Sequence, residues 1–353
     1  RKKMPNKFLH LLQLYKGILP TKGDVLHTFN TVNVSRRGKW VVSFEKGVPN
    51  NEDFAIASER ETIDFTKVAK LHYVKRMMKH LAKDNCLGLL ALSENARRKQ
   101  AELVKQFPQY QDKILPKLIA FHPAQPLLVD SIQSSNDKYN TLRFIFIGRD
   151  FFRKGGREVV KALFKLRKEK NVNCKLTLIG KIAARPQYET YKDEYVDLLN
   201  FVENNRDWIE YHEELKNDVV LEKIKASHVS LLPTWMDTYG YSVLESQACG
   251  VPIVTTDLNA FREINPDDAG WRIPVPVNEL GSPLHYVDKA HFDDFHKKLE
   301  VGLYEILCDI LAHPEQIHQK AERCIERIKT EHSPEAYAKR LEEIYNGCLL
   351  KAN

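Results

Sequence analysis

The feature that most constrains this chain is an alternation that begins at Leu142. Short apolar runs, LRFIFIG (142–148), KLTLIG (175–180), WIEYH (208–212), HVSLLP (228–233) and PIVTT (252–256), are separated by segments of helical spacing at 156–170, 187–204, 215–226 and 242–249. Brief runs rich in β-branched and aromatic residues read as buried strands. Strands that alternate with helices need crossover connections, which are right-handed and build a mostly parallel sheet. The first part of the chain repeats the pattern more loosely. Strands are expected at DVLHTFN (24–30), WVVSFE (40–45) and LGLLALS (87–93), with helices at 65–83 and 94–107 and an apolar segment, ILPKLIAF, at 114–121. SIQSSNDKYNT (131–141) is polar, turn-rich and without periodicity, as a hinge between domains would be. A chain of 353 residues is long enough for two cores. The expectation is an α/β protein with domains at 1–136 and 137–332, a tail that is helical from Lys289, and a last helix at 333–353 opened by Ser333-Pro334.

Composition narrows the function. No apolar run approaches the roughly 18 residues that span a bilayer, and Arg1–Lys3 leads into KFLHLLQLYKGILP, which carries no secretory cleavage site. The six cysteines (86, 174, 249, 308, 324, 348) form no CxxC pair, and several lie in apolar contexts, as in NCLGLL and EILCDIL. That argues against zinc or a disulfide framework and fits a reducing cytoplasm. The charge is uneven: residues 1–136 hold 23 Lys and Arg against 12 Asp and Glu, within a whole chain of net charge +7. Such asymmetry points the first half toward an anionic partner. No nucleic-acid motif accompanies the basic residues, so nucleic acid is not expected. The basic face of helix 65–83 carries Lys67, Lys70, Lys75, Arg76, Lys79 and Lys83. Two readings stand: a solvated face of a packed helix, or a surface for anionic lipid headgroups.

Two segments carry chemistry. GRDFFRKGG (148–156) follows one strand and opens a helix; Gly148 permits a sharp turn, and Arg149 and Lys154 set two cations at the carboxyl end of a strand, where open α/β sheets bind ligands. Neither GxxxxGK[ST] nor GxGxxG occurs after any expected strand, which argues against a P-loop ATPase and a dinucleotide oxidoreductase. The second segment is LLPTWMDTYGYSVLESQACGVPIVTT (231–256). Asp237 lies in a loop, Gly240 at a turn, and Glu245 about one turn inside the helix that follows. A helix N-terminus suits an anion such as a diphosphate, and a carboxylate beside it can accept hydrogen bonds from sugar hydroxyls.

Together these segments resemble the donor site of retaining glycosyltransferases of family 4, whose GT-B fold has two facing Rossmann-like domains with a cleft between them. LLPTWMDTYGYSVLESQACGVPIV is similar to the family's E-x7-E pair, Gly-aromatic turn and EAxAxGxPV run, and GRDFFRKG to its GR…KG phosphate clamp. The likeness is strong over about 140–270 and loose over the first 130 residues. It implies that Arg149 and Lys154 neutralise the donor diphosphate, that Glu245 holds the ribose hydroxyls and that Asp237 contacts the transferred sugar. It also implies that backbone N–H groups of Tyr239, Gly240, Tyr241 and Ser242 touch sugar and phosphate, while Gly180, Lys181, Tyr211 and His212 line the base pocket. Asp237 stands where the family has Glu, one methylene shorter, and Thr238 where it has Gly or Ser. In the first domain the family's strand-end His corresponds to Glu45, which either orients an acceptor hydroxyl or pairs with Lys46 or Arg36; His27 is the other acceptor-side candidate. The family's Gly-rich loop after its first strand is not visible ahead of Lys22.

The resemblance therefore implies a metal-independent, retaining transfer from a nucleotide-diphosphate-sugar to a glycan or lipid-linked acceptor. It needs no further cofactor, and closure about 131–141 would exclude water. The enzyme would be cytoplasmic, with peripheral membrane association through the basic first domain. The rivals are a catalytically silent nucleotide-sugar-binding module and a GT-B isomerase or phosphorylase.

Overall fold

A computed structural model describes residues 24–33, 38–131, 139–183 and 194–347. The chain divides into two compact units, and both are discontinuous. The first comprises 1–124, 277–284 and 334–353; the second comprises 125–276 and 285–333. Most of the expected hinge, 132–138, lies outside the described residues, as does the start of the helix expected from 187.

The first unit is built on a four-stranded parallel sheet in the order β1 (Val25–Phe29), β2 (Lys39–Phe44), β3 (Cys86–Ala91), β4 (Leu118–Ala120). Successive side chains of a strand point to opposite faces, and β2 shows the consequence. Trp40, Val42 and Phe44 enter a core with Phe54, Val74, Met78, Leu81 and Leu103. Val41 turns the other way, with Leu90 and Phe121, and is covered by Ile344, Tyr337 and Leu341 of the last helix.

The helices of this unit are α1 (Glu52–Glu59), α2 (Thr66–Lys70), α3 (His72–Leu81), α4 (Glu94–Lys105), α5 (Pro108–Ile114) and, from the far end of the chain, α13 (Pro334–Tyr345). The single helix expected over 65–83 is in fact two. Leu71 adopts an extended conformation (ψ 131°) that ends α2 and opens α3, while the apolar spacing runs on unbroken past it. Helices α1 and α5 were not anticipated. Asn51 caps α1 by accepting from Phe54 N at 2.9 Å, and Pro108 occupies the first turn of α5, where a missing N–H costs nothing. The loop 277–284 is held by Asn278, which donates to the carbonyls of Ser58 and Arg60 at 3.0 and 2.7 Å and accepts from the backbone N–H of Leu280 and Ser282.

The second unit has a six-stranded, wholly parallel sheet. Its strands are β5 (Leu142–Ile147), β6 (Cys174–Ile179), β7 (Ile209–His212), β8 (Val229–Leu232), β9 (Ile253–Thr256) and β10 (Gly270–Ile273), and they lie in the order β10-β9-β8-β5-β6-β7. The winding starts at β5, goes one way to β7, returns and goes the other way from β8. That reversal sets a switch point between β5 and β8, where doubly wound sheets leave a crevice at their carboxyl ends. The helices are α6 (Gly156–Lys170), α7 (Glu194–Glu203), α8 (Asn217–Lys225), α9 (Tyr241–Ala248), α10 (Phe261–Ile264), α11 (Lys289–Ala312) and α12 (Glu315–Glu331). Strand β10 and the short α10 were not anticipated. The tail expected as helical from Lys289 resolves into α11, α12 and α13.

Candidate functional site

The loops that follow β5 and β8 meet at the switch point. Gly148 ends β5, and its N–H donates to Ile179 O at 2.9 Å; Gly180 N donates in turn to His212 O at 2.9 Å. The carboxyl ends of β5, β6 and β7 are thus drawn into one row, which brings Gly148, Gly180, Tyr211 and His212 to the same rim of the sheet. The Tyr211 ring is buried beneath the Arg206 guanidinium, 5.2 Å from its centroid, and burial raises its phenol pKa. His212 Nε2 lies 2.9 Å from Glu210, and Lys181 pairs with Glu213 at 3.4 Å.

Across the switch point, Lys154 Nζ forms an ion pair with Asp237 Oδ2, and Asp237 Oδ1 accepts from Thr238 N at 2.9 Å. Arg149 is exposed, and among the described residues its guanidinium pairs with no carboxylate. The two cations therefore differ: one is already committed to a carboxylate and the other is available to solvent.

Several residues that motif reasoning passes over hold the two loops together. Trp235 N donates to Arg153 O at 2.8 Å, and the Arg153 guanidinium returns a bond to Met236 O at 2.8 Å. Thr234 Oγ1 donates to Arg153 O at 3.0 Å, and Thr256 Oγ1 donates to Thr234 O at 2.7 Å. Asn259 Nδ2 donates to Asp237 O at 2.7 Å, fixing the backbone of the acidic residue. Gly155 caps α6 at φ +84°, and a Cβ there would stand 2.1 Å from Pro233 O, so only glycine permits the approach.

The 233–240 loop ends at Gly240, which opens α9 at φ +90° with the Phe261 ring packed where a Cβ would lie. Neither α6 nor α9 has a side-chain cap at its N-terminus. Within those first turns the N–H groups of Gly156 and Val243 donate to Phe151 O and Gly240 O, both at 2.9 Å. Tyr239 is buried and Tyr241 is 44% exposed, their ring centroids 5.2 Å apart; Ser242 is half-buried. Glu245 lies one turn into α9, half-buried. Burial raises its pKa, and among the described residues its carboxylate has no hydrogen bond or ion pair.

The remaining candidates belong to the first unit. Glu45 follows β2, and its backbone N–H donates to Asn30 Oδ1 at 3.2 Å. Lys46 pairs with Glu59; Arg36 lies outside the described residues. His27 has both ring nitrogens engaged, Nδ1 with the Tyr345 hydroxyl at 2.6 Å and Nε2 with Ser43 Oγ at 2.7 Å. Burial lowers its pKa. Among the described residues no three His, Cys, Asp or Glu side chains gather as a metal cage would, and no helix is long and apolar enough to cross a membrane.

Residues 130–280 match the family of glycosyl transferases group 1. An uncharacterized glycosyltransferase of Methanocaldococcus jannaschii is 22% identical over 47% of this chain, and the chain spans only 45% of that relative's length. Among solved structures, sucrose-phosphate synthase of Thermosynechococcus elongatus aligns with 98% of this chain and 78% of its own, at 16% identity and a TM-score of 0.58. HepE of Anabaena in complex with UDP aligns with 96% of this chain and 82% of its own, at 10% identity and a TM-score of 0.62. WaaG, a glycosyltransferase involved in lipopolysaccharide biosynthesis, covers 88% of this chain and 78% of its own at 16% identity, with a TM-score of 0.52. The two parallel α/β units are those of the GT-B fold, and residues 130–280 of this chain are similar to the glycosyl transferases group 1 family.

Proposed function

We propose that the chain is a retaining glycosyltransferase that moves a sugar from a UDP-sugar to a hydroxyl of a glycan or lipid-linked acceptor. One observation carries this reading: Lys154, in the turn after β5 that also holds Arg149, pairs across the switch point with Asp237, in the loop after β8, within residues that match a glycosyltransferase family. HepE and the pneumococcal O-GlcNAc transferase GtfA, which share the fold, were both solved with UDP.

In this reading Arg149 takes diphosphate oxygens in bidentate fashion, and Lys154 adds a second charge as it exchanges Asp237 for phosphate. The N–H groups of Tyr239–Ser242 complete the cradle. Glu245 accepts hydrogen bonds from the ribose hydroxyls, Asp237 from those of the sugar, and Gly180, Tyr211 and His212 border the base. The acceptor hydroxyl attacks the anomeric carbon on the face from which the diphosphate departs. Its proton passes to a diphosphate oxygen as the sugar–oxygen bond breaks through an oxocarbenium-like state. Two cations and helix N–H groups carry the leaving charge, so no metal ion is called for. Glu45 is the acceptor-side residue of the first unit. His27, with both nitrogens taken, serves the seating of α13 instead.

The experiment is a panel of nucleotide sugars tested for thermal stabilisation, since ligands of the native state raise its midpoint, followed by product analysis with hydroxyl acceptors and assignment of the anomeric configuration. Binding without transfer or donor hydrolysis would favour a silent module. Turnover without an acceptor would favour an isomerase, and dependence on inorganic phosphate a phosphorylase.

A lipid-linked acceptor at the cytoplasmic face of a membrane has its own support. Lys67, Lys70, Lys75, Arg76 and Lys79 are all exposed, and Val68, Val74 and Met78 of the same helices are buried. Salt-sensitive co-sedimentation with anionic but not neutral vesicles is the expected result; equal recovery with both would refute it.

A further inference from the structure

Glu158 is a buried polar group of the second unit that the donor site leaves unexplained. It sits in the first turn of α6 with no side-chain exposure, and among the described residues its Oε2 has no hydrogen-bond partner. Carboxylates so placed are costly unless something answers their charge. Two groups stand near: Arg157 Nη1 at 3.4 Å and, from α11, His296 Nδ1 at 3.6 Å from Oε1. Arg157 is itself drawn outward by Glu194 and Glu300, at 2.6 and 2.7 Å. His296 is 6% exposed, and its ring meets Trp235 edge-on, centroids 4.5 Å apart at 88°. Trp235 is 1% exposed, and its backbone N–H, which donates to Arg153 O, is one of the bonds tying the Asp237 loop to the Lys154 turn.

A continuous path therefore runs from the first turn of the helix whose N-terminus faces the switch point, through a carboxylate and an imidazole, to the indole beneath the acidic loop. We propose that Glu158, His296 and Trp235 form a positioning relay that sets the Asp237 loop against the Lys154 turn, so that donor affinity depends on His296 and Glu158 although neither touches the donor. Burial of a carboxylate whose Oε1 faces Arg157 and His296 is what the relay accounts for: hydrophobic packing alone would be served better by an apolar side chain. The inference rests on the donor reading above only for what binds; the seating of the loop is a property of the free protein.

The test uses His296→Phe, which keeps a ring against Trp235 but cannot answer Glu158, and Glu158→Gln, which keeps shape and removes charge. Hydrogen exchange of the 233–238 segment is measured in the full-length protein without ligand, and UDP affinity and donor KM and kcat are measured beside it. Each variant is expected to exchange faster in that segment while β5 and β6 keep wild-type protection. UDP affinity should fall about tenfold, with KM raised more than kcat is lowered. The double variant should be no worse than the poorer single one, because the two residues act along one path. Unchanged exchange at 233–238 in a folded variant overturns the relay, including the case where only the thermal midpoint drops. Should His296→Phe not fold, Glu158→Gln and His296→Gln carry the same test. If the wild-type protein binds neither UDP nor any nucleotide sugar, the donor reading fails, and the exchange measurement still decides the relay.

Discussion

Replacing Glu245 by glutamine should separate what this side chain does for the ligand from what it costs the fold. The carboxylate is half-buried on α9, burial raises its pKa, and among the described residues nothing donates to it. The native state therefore holds its proton more tightly than the unfolded chain does. The sign follows directly: stability falls as pH rises from the unfolded pKa through the raised native one, and at neutral pH the ionised group is a net burden. Glutamine keeps the size and removes the burden, so the variant's thermal midpoint should equal or exceed that of the wild type at pH 7.5, the difference closing as pH approaches 4. Ligand binding should move the other way. A hydrogen bond to a charged acceptor contributes about 1.5–3 kcal/mol, so loss of the charge opposite a ribose hydroxyl should weaken UDP binding by about 10- to 150-fold. Calorimetry with UDP, beside thermal melts from pH 4 to 8, measures both. An affinity within twofold of wild type, or a midpoint lowered at pH 7.5, would refute the reasoning.

Arg149→Ala should leave the thermal midpoint within about a degree, because the side chain is exposed and pairs with no carboxylate among the described residues, yet lower turnover at least about tenfold. Lys154→Met should do both kinds of harm, since it strands Asp237 in a partly buried setting; a variant as stable as Arg149→Ala would show the ion pair to be idle. Gly155→Ala places a Cβ against Pro233 O at a positive φ, and urea melts should show a loss of at least about 2 kcal/mol; a smaller loss would mean the two loops are not fixed. His285, caged by Trp235, Phe295 and Tyr286, has both ring nitrogens unpaired among the described residues, and burial, reinforced by His296, lowers its pKa to about 3. Its lowered pKa makes the native state shed stability as pH falls below about 6.5. His285→Phe should therefore flatten the decline in thermal midpoint between pH 7 and 4; an unchanged slope would refute it.

The parallel sheet of the second unit was legible because β5, β6, β8 and β9 are short runs dominated by apolar and β-branched residues; β8 and β9 are buried at every position, as strands covered on both faces are, while β6 still exposes Lys175. β10 escaped notice because GWRI is a four-residue edge strand carrying glycine and arginine. The break at Leu71 was invisible for a different reason: Val68, Leu71, Val74 and Met78 keep helical spacing while the backbone between them does not. Lys154 and Asp237 could be found because charge at a strand's carboxyl end is a positional signal. Arg153, Thr234 and Asn259 act by bonding backbone carbonyls of a distant loop, and nothing in their spacing announces a partner some 80 or 20 residues away. The anchoring of His27 by Tyr345 was hidden for the same reason, since it joins residues 318 positions apart. The membership of 277–284 in the first unit likewise depends on bonds between residues far apart in sequence: Asn278 donates to the carbonyls of Ser58 and Arg60, and Asn95 and Arg98 donate to those of Leu280 and Glu279.

That discontinuity has a consequence for synthesis. Val41, Leu90 and Phe121 are translated early, but their cover, Ile344 and its neighbours in α13, is translated after the whole of the second unit. At about 5–20 residues per second, some 200 intervening residues leave one apolar face of the first sheet bare for roughly 10–40 seconds on the ribosome. The second unit can close around its own segments in that interval, whereas the first must wait. The nascent chain is therefore expected to mature in the reverse of its written order, with the amino-terminal unit the last to become secure and the one a holding chaperone would protect.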